Sequence, residues 1–379
     1  CLRFRDLDLV KQELQFFLDE KVPQVKFVDR TFNCKHEHSL AIWKYIQEHD
    51  NGVTNFHFEI SADLLNEEEL QLISKMRPGL IQLEIGVQST NPDTIREINR
   101  TMRFEKVAKI VKRINSFGNV HQHLDLIAGL PFEDYESFGK SFNDVYALCP
   151  EQLQLGFLKV LKGSYMKEHE QEYGLIHKSL PPYEVLYTKW LPYKDVLKLK
   201  RIEEMVEVYY NSGQFTYTLS QLVKAFATPF AMYEAMGAYY EENGLHVVSH
   251  SRVSRYEILL QFALQQDAKR GELYRELLVF DLYLRENMKN RPEFAGEYTM
   301  EKEELSAFYE KESKEHCYLE GYEMYDKRQL RKMTHMERFH YDVTEDGTRR
   351  ERVILFDYRN RNPLNYQARI FCMTDLEFL

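Results

Sequence analysis

The sequence is poor in cysteine. There are five in 379 residues, Cys1, Cys34, Cys149, Cys317 and Cys372. They are scattered and odd in number, whereas a secreted disulfide framework is dense and usually even. Free thiols in a reducing, cytoplasmic compartment are the expectation. No two cysteines stand at metal-ligand spacing, so no metal ligand is assigned. Also missing is an apolar run approaching about 18 residues, which speaks against a membrane-spanning helix. Positive charge is not in excess either. The formal net charge of −10 argues against non-specific binding to nucleic acid, which needs clustered Lys and Arg. The opening residues Cys1 to Asp6 carry mixed charge and do not read as a signal peptide. No repeat or low-complexity tract is visible, and no Gly-rich phosphate loop follows the first visible strand, as a dinucleotide fold would require.

What remains is an ordinary globular composition, 44% apolar and 29% charged, in a chain long enough for two domains with sizeable cores. The chain opens on Cys and enters a helical pattern almost at once, Asp6 to Lys21, which raises the expectation of further sequence ahead of it. Strand and helix patterns then alternate. Val25–Asp29 reads as a strand and His36–His49 as a helix. Thr54–Ile60 is a strand, followed by a helix opening at Asn66-Glu67-Glu68-Glu69, where acidic residues favour the first turn. Leu80–Gly86 is a strand, Pro92–Asn99 and Phe104–Phe117 are helices, His121–Ile127 is a strand, Tyr135–Ala147 a helix, and Gln152–Leu158 the last strand.

Repeated strand–helix units imply a parallel sheet. The fold class expected is α/β, a partial parallel (β/α) barrel over residues 1–163. A mostly helical domain over 164–335 would follow, with helices at Lys194–Asn211, Gln221–Asn243, Ser254–Asp267 and Glu272–Asn287. A terminal β-hairpin over 336–379 would turn at Asp346-Gly347.

In a parallel barrel the working residues sit at the C-terminal strand ends. Here those ends carry Asp29 to Asn33, then Glu59 with Ser61-Ala62-Asp63, then Gly86-Val87-Gln88-Ser89, then Asp125 ahead of Ala128-Gly129-Leu130-Pro131. Each alone has a plain structural reading as a pair, a cap or a brace. His121 and His123 share one strand face without an evident third ligand, and a structural role is expected. The tyrosine-rich helices read as packing surfaces.

Taken together, Gly86-Val87-Gln88-Ser89, Asn91-Pro92, Asn99-Arg100 and Asp125-Leu126-Ile127-Ala128-Gly129-Leu130-Pro131 resemble the radical S-adenosylmethionine superfamily. The likeness is to the branch of oxygen-independent coproporphyrinogen oxidases and cobalamin-dependent members. The run Gln24 to Asn33 resembles the cobalamin-binding enzymes grouped with anaerobic magnesium-protoporphyrin monomethyl ester cyclases. The resemblance implies a cofactor site of Glu59, Gly86, Gln88, Ser89, Arg100 and Asp125. In it, Glu59, Gln88 and Asp125 meet the ribose of S-adenosylmethionine, and Arg100 meets the methionine carboxylate. These residue types suit that chemistry. Diols need acceptors, an amide gives and accepts, and an Arg fork matches a carboxylate. Glu84 and Asp63 compete with Glu59 for its place.

The family's C-x3-C-x2-C motif for a [4Fe–4S] cluster is not in this sequence, nor is the strand before it. Cys1 lies too close to Arg3 and Arg5 to match the usual spacing of the third cluster cysteine. The expectation is that this chain alone does not cleave adenosylmethionine. The complete protein would add the cluster, a cobalamin domain, an electron donor such as ferredoxin or flavodoxin, and a small-molecule substrate that the sequence does not identify. No residue is assigned to the radical step. The competing expectation is a non-catalytic barrel that binds a nucleotide-like ligand as a regulatory or scaffold protein. A weaker one is a metal-dependent hydrolase using strand-end carboxylates with His121 or His123.

Overall fold

The computed structural model describes residues 3–298 and 300–373. Cys1, considered above as a cluster ligand, lies outside the described residues. The chain divides into two compact units, Cys1–Asn211 and Ser212–Leu379.

Unit one opens with α1 (Leu7–Asp19). Asp6 starts it by accepting from the N–H groups of Asp8 and Leu9 at 3.0 and 3.2 Å. Val10, Leu14 and Leu18 form its buried stripe. Then β1 (Gln24–Lys26), α2 (His36–Glu48), β2 (Asn55–Ile60), α3 (Glu67–Ile73), β3 (Ile81–Gln88), α4 (Pro92–Glu97), α5 (Phe104–Asn115), β4 (His121–Ala128), α6 (Tyr135–Tyr146) and β5 (Gln152–Phe157) follow. The five strands are parallel and lie in the order β1-β2-β3-β4-β5. A doubly wound sheet reverses its order at a switch point. This one never does, so right-handed crossovers place every helix on the same side. That is the wall of a partial barrel, as the sequence led us to expect.

Burial along the strands shows the two faces. In β3, Ile81, Leu83, Ile85 and Val87 are buried, while Gln82, Glu84, Gly86 and Gln88 between them are only half-buried. The apolar set faces the helices, and the polar set lines the concave side. The same alternation puts His57 and Glu59 of β2 and His121, His123 and Asp125 of β4 on that side. The register sets Gly86 beside Asp125, and Glu84 between Glu59 and His123.

In this sheet two strand ends differ from expectation by more than one residue. β3 continues to Gln88 rather than ending at Gly86. β1 spans only three residues because it is an edge strand with a single neighbour, and Val28 beyond it is exposed. Past β5 the chain forms α7 (Tyr165–Glu168), a small antiparallel pair β6 (Ile176–His177) and β7 (Val185–Tyr187), and α8 (Tyr193–Met205). A π-helical turn over Val206–Asn211 follows. Asn211 there accepts from the N–H of Leu153 and donates to its carbonyl, at 2.9 and 3.0 Å. Residues 164–211, read from sequence as the start of the helical extension, thus belong to the first compact unit.

Unit two contains α9 (Thr216–Leu222), α10 (Pro229–Glu242), α11 (Arg252–Gln266), α12 (Gly271–Arg285), α13 (Lys302–Glu315) and α14 (Lys327–Met333). An antiparallel sheet follows, β8 (Thr334–Tyr341), β9 (Arg349–Asp357) and β10 (Arg369–Met373), in the order β10-β9-β8. The expected helix Gln221–Asn243 is two helices. Pro229 takes the first position of α10, and Thr228 caps it by accepting from Ala231 N–H at 3.1 Å. The hairpin turns at Gly347, with φ +74, and gains a third strand. Among the described residues no helix is long and apolar enough to cross a membrane.

Candidate cofactor site

The site begins in the turn after β3. Ser89 N–H donates to the Val87 carbonyl at 2.9 Å, closing a γ-turn with Gln88 at its centre and φ +70. Such a turn is strained for a residue with a Cβ. It carries the Gln88 amide back over Gly86, where a Cβ would meet Nε2 at 2.3 Å. A Cβ at Gly86 would therefore displace the Gln88 amide from this position. Gln88 Oε1 is buried and has no hydrogen-bond partner.

Arg100 arrives from the end of α4. Asn99 takes a left-handed conformation with φ +55, its N–H donates to the Arg96 carbonyl, and that of Arg100 donates to Ile95. These two bonds close the helix with a Schellman motif, which accounts for the Asn-Arg pair in the sequence. The Arg100 guanidinium then donates to the Gly86 carbonyl at 2.9 Å. Burial pushes its pKa down, against the pull of Asp63, Glu59 and Asp125.

Asp125 lies beside Gly86 on β4. His123 Nε2 sits 3.0 Å from Asp125 Oδ1, at ion-pair distance but without hydrogen-bond alignment, since both atoms lack a hydrogen-bond partner. Burial lowers the His123 pKa, but Asp125 and Glu84 raise it by more, so the net shift is upward. Glu59 is raised by burial and then by the charges of Glu84 and Asp125. Glu84, a rival for the role of Glu59, is engaged by Lys26 at 3.0 Å, with His57 at 2.9 Å. Burial raises the Glu84 pKa, and Lys26, His123 and His57 bring it below the ordinary value. His121 drops to about 4 through burial and the charges of His123 and His57, and is neutral. Asp63 accepts from the Ser61 hydroxyl at 2.7 Å.

Of the six residues singled out in the sequence, the structure gathers Glu59, Gly86, Gln88, Arg100 and Asp125 at the concave face. Ser89 turns away. Its hydroxyl is fully buried and donates to Glu133 Oε1 at 2.6 Å, next to Ser141 of α6. Glu133 is the residue that sequence reasoning missed. Burial lifts its pKa to about 7, against the hydrogen bonds of Ser89 and Ser141. It braces the turn from behind. Its only signal was its place just after Gly129-Leu130-Pro131. Asn33, in a 3-10 turn (Phe32–Cys34) past β1, is also structural. It is fully buried and clamps Ser61 through both N–H and C=O, at 3.0 and 2.9 Å.

No group of three or more His, Cys, Asp or Glu among the described residues is placed to hold a metal ion. Cys34, Cys149, Cys317 and Cys372 are free and exposed. A [4Fe–4S] cluster therefore has no ligand set among them.

Fold and concave face together define a parallel (β/α) partial-barrel protein with polar side chains gathered at its strand ends. Residues 2–145 match the model of the radical SAM superfamily. Residues 171–356 match a second model, described as a protein of unknown function, DUF4080. Among curated proteins, the chain is 31% identical over 160 residues to oxygen-independent coproporphyrinogen III oxidase of Salmonella typhimurium, covering 39% of this chain and 34% of that protein. The chain thus spans about a third of the length of the curated relatives it matches. Among solved structures it is similar to coproporphyrinogen III oxidase of Escherichia coli, described as a radical SAM enzyme, with 18% identity, TM-score 0.37, 52% of this chain and 46% of that one. It is also similar to the radical S-adenosylmethionine methyltransferase TsrM of Kitasatospora setae with cobalamin and a [4Fe-4S] cluster bound. There the identity is 15% and the TM-score 0.41, over 47% of this chain and 37% of that one.

Proposed function

We propose that the concave face of unit one binds S-adenosylmethionine and that the complete protein is a radical enzyme. One observation carries the reading: Gln88 Oε1 is buried without a hydrogen-bond partner, and on the neighbouring strand, beside Gly86, the buried Asp125 Oδ1 has His123 Nε2 at 3.0 Å without hydrogen-bond alignment. An unpaired buried acceptor is costly, and a ligand's hydroxyls would satisfy it. Glu59 and Asp125 would accept from the ribose diol, and Gln88 would complete the grip. Arg100, already fixed on the Gly86 carbonyl, would turn its remaining N–H groups to the amino-acid carboxylate. Burial first, and then repulsion by Glu84 and Asp125, lift Glu59, and a cationic ligand such as a sulfonium would relieve the repulsive part.

Adenosylmethionine bound with a reduced [4Fe–4S] cluster supplies a 5′-deoxyadenosyl radical that abstracts hydrogen from a substrate. The described residues provide no ligands for the cluster, so it would be held by cysteines outside them. An electron donor such as ferredoxin or flavodoxin, and a cobalamin used for methyl transfer or oxidative cyclisation, belong to the same proposal. So does a reducing, cytoplasmic setting. This chain's own share is to hold the nucleoside and screen it from water.

Calorimetric titration of the chain with adenosylmethionine tests the site. Weak binding is expected, on the order of millimolar, and Asp125→Asn or Gln88→Ala should weaken it further by about tenfold. Equal affinity in the variants would reject the assignment. Anaerobic reconstitution of the complete protein, with iron and sulfide counted and 5′-deoxyadenosine measured, tests the chemistry. Failure to form 5′-deoxyadenosine would leave the non-catalytic nucleotide-binding barrel.

A further inference from the structure

Unit two holds a concentration of charge that the proposed cofactor site does not use. Arg252 at the start of α11, Arg285 at the end of α12 and Arg361 ahead of β10 line one cleft of about 340 Å³ with Gln214 and Tyr366. They are far apart in sequence and lie in a chain of net charge −10. The hydrogen bonds of Arg285 and Arg361 fix their guanidinium groups without neutralising them. Arg285 donates to the backbone carbonyls of Asn365 and Ser212. Arg361 donates to those of Arg285 and Tyr366, at 3.0 and 2.6 Å. The carboxylate at the cleft is Glu286, and it is paired with Arg252.

Like charges held together in a half-buried place repel. Burial lowers the Arg285 pKa, and the charges of Arg361 and Arg252 push it the same way, against Tyr256 and Asp281. Asp281 offsets this only in part. It is fully occupied with the N–H groups of Tyr217 and Thr218, and burial lifts its own pKa to about 7. On the wall of the cleft, Gln214 Oε1 is buried without a partner. Its amide can turn to present N–H or C=O. At the rim, Tyr366 is 70% exposed.

We infer that this cleft binds the phosphate or diphosphate group of a small molecule. Two guanidinium forks already oriented by backbone carbonyls, Arg285 and Arg361, with Arg252 beside them on Glu286, are preorganised for a tetrahedral oxyanion, which would replace their repulsion with charge-assisted hydrogen bonds. Tyr366 offers a ring face beside the group the anion would carry. The inference stands independently of adenosylmethionine binding.

The test is calorimetric titration of the whole chain with sodium pyrophosphate at constant ionic strength, with malonate and a short single-stranded oligonucleotide as parallel arms. Saturable binding of pyrophosphate is expected, weakened by about tenfold or more in Arg252→Gln and Arg361→Gln. Arg349→Gln, at the exposed start of β9, should bind like the unaltered chain. Arg361 supports a loop, so Arg252→Gln is the decisive variant. Its side chain is 43% exposed and its bond is to Glu286, and an unchanged melting temperature without ligand shows that the fold is intact. No saturable heat with pyrophosphate, or equal affinity in Arg252→Gln, overturns the inference. So does malonate binding as tightly as pyrophosphate, or binding of the oligonucleotide alone.

Discussion

A methyl group on Gly86 would occupy the space of the Gln88 amide. The obstacle is the far end of a flexible side chain, so the amide can swing aside. Gly86→Ala is therefore expected to cost less than about 1 kcal/mol of stability and to weaken adenosylmethionine binding by about tenfold. Denaturant unfolding beside calorimetric titration would separate the two effects. Glu133 behind the turn gives a pH signature. Its pKa is about 7 in the folded protein against an ordinary 4.5. Between these values the folded state keeps a proton that the unfolded chain has released. The contribution to stability is complete below about pH 4.5, falls as pH rises through 7, and is absent above. Glu133→Gln keeps an acceptor for Ser89 and removes the titration. It should be more stable than the unaltered protein at pH 8, by about 2 kcal/mol, and the gain should vanish near pH 5. Melting curves across that range would check it, and a gain independent of pH would contradict it.

At the scale of elements, the helices were legible where their local signals agreed. Asp6 before α1, Asn66 before α3 and Pro92 within α4 are start signals readable in sequence, and each is seen at its place. The break at Pro229 was overlooked because apolar residues continue on both sides of it. Capping from another element is invisible to local pattern. The N-terminus of α9 has no cap from its own flank. Asp281 of α12 supplies it, accepting from Tyr217 N–H at 3.1 Å, Thr218 N–H at 2.8 Å and the Thr218 hydroxyl at 2.7 Å. Removing it strands N–H groups at a buried helix end. Asp281→Ala is expected to cost about 3 kcal/mol, and Asp281→Asn clearly less, because the amide oxygen still accepts. Chemical denaturation of both variants tests the order, and equal losses would show that the cap does not matter.

The whole molecule has two compact units, each with its own core. In unit two a cluster including Met300, Leu305, Phe308, Leu330, Met336, Val353 and Leu355 joins α13, α14 and the sheet. Separate cores permit separate melting. Scanning calorimetry of the whole chain should give a calorimetric enthalpy larger than the van't Hoff value. A ratio of one would mean that the units unfold together.

The partial barrel could be read from the sequence because its cause is local and periodic. Apolar and polar residues alternate along Ile81–Gln88, helical spacing recurs between strands, and each strand end carries its polar loop. Glu59, Gly86, Gln88, Arg100 and Asp125 could be singled out because the motifs at or after those strands together resemble the radical S-adenosylmethionine superfamily. Folding decided what no periodicity encodes: that Ser89 turns back to Glu133, that Asp281 caps a helix more than sixty residues away, and that Arg252, Arg285 and Arg361 meet. Such contacts depend on where distant segments pack, and burial then sets the charge each group can hold.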